Sequence, residues 1–128
     1  MHGKTFTAKH TLKAIRGAVC STNDKAEITE RTLELYDRIL KVNEFCETDI
    51  LSIFFSITPD IKVLNPANAL RQSGRAGETA MMVLEEAVLE DSLPGTIRVL
   101  IHAYMADDKP VHHIYIRGAE KLRPDRSD

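Results

Sequence analysis

The sequence predicts an α+β fold, a mixed β-sheet with two helices. Three observations carry this reading. Five apolar runs of strand length occur, at 12–20, 50–58, 79–84, 96–104 and 111–117. Two helical patterns with recognisable caps follow the first and second of these, giving the order β-α-β-α-β-β-β. No repeat, low-complexity tract or linker interrupts residues 12–128, so they are expected to form a single domain behind a polar, flexible N-terminal extension at 1–11.

Each element has a local cause. The first strand contains Gly17, which marks a bulge or a close approach of another backbone. Asp24, with Glu27 three residues later, resembles a capping box and opens a helix that runs to about Phe45. Ile28, Thr32, Leu35, Ile39 and Val42 recur at helical spacing as its inward stripe, while Glu30, Glu34, Asp37 and Lys41 face solvent. Residues 50–58 are the clearest strand, ended by Pro59-Asp60. Asn65-Pro66 starts the second helix, with Asn as cap and Pro at the first helical position, and the helix stops near Gly74. The strand at 79–84 leads into Glu85-Glu86, and 87–95 is a connection. The last two strands are joined by the turn Asp107-Asp108-Lys109-Pro110 and are expected to pair as a hairpin. Two helices cover one face of such a sheet. The other face and the edges need a partner chain, so an oligomer is expected.

Composition narrows the function. With 43% hydrophobic residues among 128, the chain can bury a real core. A net charge of −2 and a pI near 6.2 give no global basic field, and aromatics at 5% with no Trp give no stacking platform, so nucleic acid is not an expected partner. No apolar run reaches the ~20 residues of a membrane span, and residues 1–11 lack a signal-peptide core. No membrane association is expected, and the expected location is cytoplasmic. Cys20 and Cys46 form neither a disulfide framework nor a metal motif.

The chemistry lies in the arginines. Arg16 sits in Ala14-Ile15-Arg16-Gly17-Ala18, Arg98 in Ile97-Arg98-Val99, and Arg123 between Leu122 and Pro124. A guanidinium keeps its charge, so one held in an apolar strand needs an anion, and a small dicarboxylate ligand suits a cluster of them. Alternation places Arg98, Leu100, His102 and Tyr104 on one face of their strand. An ion pair from Arg98 on an edge strand to Glu85, Glu86 or Glu90 is the plainer reading. His102, His112 and His113 lack metal-ligand spacing. Cys20 and Ser56 lack a base and an orienting acid that would make either a nucleophile. No glycine-rich phosphate loop is present. The residues alone reach a small anion-binding α+β domain.

The ordered segments Ala14-Ile15-Arg16-Gly17-Ala18, Ser56-Ile57-Thr58-Pro59-Asp60, Asn65-Pro66-Ala67-Asn68-Ala69-Leu70-Arg71, Glu86 twelve residues before Arg98, His113-Ile114-Tyr115 and Leu122-Arg123-Pro124-Asp125 go further. Together they resemble the Bacillus-type monofunctional chorismate mutases, the AroH class. The resemblance implies a homotrimer in a pseudo-α/β-barrel arrangement with active sites at subunit interfaces. It implies the Claisen rearrangement of chorismate to prephenate, on the route to phenylalanine and tyrosine, with no cofactor and no metal. It assigns Arg98 as the main transition-state stabiliser and Glu86 as acceptor from the ring hydroxyl. Arg16 and Tyr115 bind the side-chain carboxylate, and Arg71 and Arg123 form the entrance. Three positions depart from the family pattern. Asn65 stands where an aromatic wall is usual, Asn68 where a Lys is usual, and Val83 where a Cys or polar residue lines the pocket, leaving its backbone groups to substrate. Activity with a weakened KM is the expectation from Asn65. A non-catalytic trimeric binder of a small carboxylate and an enamine/imine deaminase of the same architecture are the alternatives.

Overall fold

The computed structural model describes residues 9–122. The elements follow one another as β1 (His10–Cys20), α1 (Lys25–Asn43), β2 (Ile50–Ile57), α2 (Pro66–Gln72), β3 (Ala80–Glu85), β4 (Thr96–Ala106) and β5 (Ile114–Ile116), with short 3-10 helices at Glu47–Asp49 and Ala119–Leu122. The strands form one mixed sheet in the order β3-β2-β4-β1-β5. β4 is its centre, antiparallel to β1 and β2, while β3 and β5 run parallel to their neighbours.

The caps act as the sequence implies. Asp24 accepts from the Glu27 amide, but the Glu27 carboxylate reaches past it to the Thr22 amide, so the box closes two residues further out. Asn65 accepts from the Ala67 amide at 2.8 Å and, less closely, from the Asn68 amide, and Pro66 opens α2. The inward stripe of α1 is Ile28, Thr32, Leu35, Tyr36, Ile39 and Asn43. Val42, expected there, is exposed, because the 3.6-residue repeat from Ile39 lands on Asn43. Asn43 is a satisfied buried amide: its nitrogen donates to the Ile39 and His112 carbonyls and its oxygen accepts from the His112 amide. Ile28, Leu35 and Ile39 meet Ile15, Val19, Ile53, Ile97 and Ile101 in the main core, with Ala67 and Leu70 of α2. Gly17 marks a close approach rather than a bulge, since β1 pairs with β4 without a break. A Cβ there would lie 2.8 Å from Ile39 Cδ1 and 3.0 Å from the Ile114 carbonyl oxygen.

Two expectations are corrected. β4 and β5 do not form a hairpin. β1 occupies one edge of β4 from Thr96 to Ala106 and β2 the other from Ile97 to Ala103, so β5 instead pairs with β1 through Gly17, Ala18 and Val19. β1 also begins at His10, so residues 10 and 11, expected in the extension, pair with Ala106 and Met105. Both helices pack on one sheet face. The other carries Leu12, Met82, Leu84 and Tyr104, between 41% and 52% exposed.

Candidate active site

Register brings the candidate residues together on the face opposite the helices. Leu84, Ser56, Arg98, Ala18 and Tyr115 align in one line across β3, β2, β4, β1 and β5. Met82, Phe54, Leu100 and Arg16 form the next line, two residues along each strand and therefore on the same face. Ala18 adds only a methyl between Arg98 and Tyr115. The result is a cavity of about 260 Å³ lined by Arg16, Phe54, Ser56, Leu84, Arg98, Leu100 and Tyr115. A second recess of about 480 Å³ adjoins it across Ser56 and Arg98, bounded by Glu86, Leu89, Leu93 and Leu122.

Arg98 is the hinge of the arrangement. Its Nε donates to Glu86 Oε1 at 2.8 Å, with the two side chains 41% and 17% exposed. The ion pair allowed by the sequence is therefore real, and its partner is Glu86, but Arg98 stands on the central strand rather than an edge. Contact through Nε leaves both terminal nitrogens without a partner among the described residues. Glu86 is fixed at its backbone, whose amide donates to the Ile57 carbonyl at 2.7 Å. Ser56 Oγ also donates to Glu86 Oε1, at 3.4 Å. Arg16 is exposed, and its guanidinium finds no partner among the described residues; its amide donates to His113 Nδ1 at 2.9 Å. Tyr115 is buried in a small cluster with Ala18 and Ala119 beneath the last 3-10 helix. Two guanidinium groups and a phenol thus face one cavity with apolar walls. Such a site can hold a compact dianion and place fixed donors against charge that develops on it.

Other expected site residues lie elsewhere. Asn65 is exposed and occupied as the cap of α2. Arg71, in the last turn of α2, is exposed and donates to the Thr79 carbonyl at 3.4 Å. Val83 pairs with Phe55 and packs against the main core, so Leu84 takes the cavity-facing place on β3. Arg123 lies outside the described residues. Phe54, Leu84 and the hydrogen-bonding part of Ser56 were missed as site features, although alternation along Ser52-Ile53-Phe54-Phe55-Ser56 already sends Phe54 and Ser56 to one face.

Comparison with known proteins places the chain in a family. Residues 12–126 match the family model of chorismate mutase type I. A chorismate mutase AroH of Thermus thermophilus is 34% identical over 119 residues, covering 89% of this chain and 95% of that protein. A chorismate mutase AroH of Bacillus subtilis is 28% identical over 119 residues, covering 91% and 93%. A solved chorismate mutase from Clostridium thermocellum superposes with a TM-score of 0.77 at 37% identity, covering 86% of this chain and 99% of that one. The chain belongs to the chorismate mutase type I family.

Proposed function

We propose, from that membership and the geometry of the cavity, that the chain is an isomerase converting chorismate to prephenate by a Claisen rearrangement. The observation that carries this is the Arg98 guanidinium, held through Nε by Glu86 with its terminal nitrogens open to a cavity shared with Arg16 and Tyr115. The rearrangement is pericyclic: the ether C–O bond breaks while a C–C bond forms, with no nucleophile and no obligatory proton transfer. What accelerates it is confinement of the compact reactive conformer and stabilisation of negative charge growing on the ether oxygen.

Arg98 serves both needs by donating from its terminal nitrogens to the ether oxygen and a carboxylate. A guanidinium suits this better than an amine because it stays charged and presents a planar fork. Arg16 and Tyr115 bind the side-chain carboxylate. Glu86 accepts from the ring hydroxyl through Oε2, since Oε1 is engaged by Arg98 and Ser56. Phe54, Leu84 and Leu100 supply apolar walls that exclude water.

The working form is a homotrimer with sites between subunits. Two features support it: the sheet face bearing the cavity is uncovered and apolar, and Arg71 and Asn65 stand away from the cavity of their own chain. In this arrangement Arg71, Asn65 and the Val83 backbone reach the site of a neighbouring copy, and Arg123 keeps the entrance role that the resemblance implies. No helix among the described residues is long and apolar enough to cross a membrane, and the proposed location is cytoplasmic. The test is loss of chorismate ultraviolet absorbance with purified protein, with prephenate identified as product. Turnover blocked by a bicyclic transition-state analogue supports the reading; no turnover by folded protein overturns it.

A further inference from the structure

Building on the mutase reading, we propose that Ser56 is a positioning residue that holds Glu86 in its reactive orientation. Ser56 cannot serve as a nucleophile, because its hydroxyl faces a carboxylate already engaged by Arg98 rather than a free base. It borders both the cavity and the adjoining recess, a place it shares only with Arg98 among the described residues of the two.

The chain anchors Glu86 twice from consecutive residues of β2. Ile57 accepts from the Glu86 amide at 2.7 Å, and Ser56 donates to Glu86 Oε1 at 3.4 Å. Arg98 Nε donates to the same oxygen at 2.8 Å. With Oε1 carrying both donors, Oε2 is left for the substrate hydroxyl. A carboxylate facing an arginine otherwise tends toward a two-point contact, with one oxygen on Nε and the other on a terminal nitrogen. That rotation would occupy Oε2 and draw a terminal nitrogen away from the ether oxygen. The hydroxyl of Ser56 opposes it by rewarding the orientation in which Oε1 alone meets Arg98. At 3.4 Å the contact is long for a hydroxyl and a carboxylate. Ser56 therefore biases the rotation rather than locking it, and its effect is smaller than that of Arg98.

The experiment is a double-mutant cycle on chorismate turnover with Ser56→Ala, Glu86→Gln and the combined variant, beside Ser56→Thr and the unmodified chain. Ser56→Ala should lower kcat about tenfold, below the ~10²-fold that a misplacement of about 1 Å can cost, with KM little changed. Ser56→Thr, which keeps the hydroxyl, should restore most of the loss. In the Glu86→Gln background, Ser56→Ala should cost almost nothing more, because the group it positions has changed. An unchanged kcat in Ser56→Ala, or a loss that multiplies fully with that of Glu86→Gln, would overturn the inference while leaving the function intact. Absence of turnover in the unmodified chain would overturn both.

Discussion

Arg98 shows how far a single residue can be read from its neighbours. Ile97, Val99 and Ile101 are buried on the helix side, so alternation alone sends Arg98 to the other face. What alternation does not reveal is that this face is open, leaving Arg98 41% exposed rather than enclosed. Nor does it choose among Glu85, Glu86 and Glu90. That choice comes from the end of the β2–β3 ladder, where Glu85 still pairs with Ile57 and the next side chain, Glu86, meets Arg98 at the recess adjoining the cavity. Asn65 is a residue whose identity has a local reason. It caps α2 through its side-chain oxygen, which a phenylalanine cannot do. Asn65→Phe should therefore lower stability by about 1 kcal/mol, read as a lower Tm, while tightening KM for chorismate by restoring an apolar wall. A KM equal to that of the unmodified chain would contradict the wall.

At the scale of elements, most boundaries were legible because the caps and turns are local chemistry. Asn65-Pro66 and Asp24 act where they stand in the sequence. The pairing of β5 was not legible, because it depends on β4 having both edges filled by strands remote in sequence. The seat of α1 on β1 was half legible in Gly17. Adding a methyl there meets not only the mobile tips of Ile39 and Leu35 but also the Ile114 carbonyl oxygen at 3.0 Å, which belongs to β5 and cannot yield independently. Gly17→Ala should cost about 1–3 kcal/mol, measured by denaturant unfolding; a neutral substitution would mean that α1 and β5 can shift freely. A second tie between α1 and the end of β5 is sensitive to acid. Arg117, at a left-handed φ of 55°, donates to both carboxylate oxygens of Glu34. That hydrogen bond holds the Glu34 carboxyl below its ordinary value. A folded value below the unfolded one gives stabilisation that is present above the unfolded pKa and lost as pH falls through the folded one. Tm should therefore drop below about pH 4.5, and Glu34→Gln should shrink that drop. An identical acid profile in the variant would show that the tie is thermodynamically silent.

On the scale of the whole molecule, one chain holds two separated groups of expected site residues. Arg16, Glu86, Arg98 and Tyr115 gather at the cavity and its adjoining recess, while Asn65 and Arg71 sit on and beside α2. The apolar face at Leu12, Met82, Leu84 and Tyr104 offers the surface on which copies would join the two groups. Subunit complementation checks this. Arg98→Ala and Arg71→Ala should each be impaired alone, and their coexpression should regain activity, because every mixed trimer of the proposed assembly would contain an interface with both arginines intact. No gain on coexpression would place the whole site within one chain. The central claim is that a guanidinium held by Glu86 carries the rearrangement, and it is tested most directly by measuring chorismate turnover of the unmodified chain beside Arg98→Ala. The account predicts conversion to prephenate by the former and a kcat at least ~10²–10³ lower in the variant, with the fold retained. Equal rates in the two proteins, or no conversion by either, would contradict it.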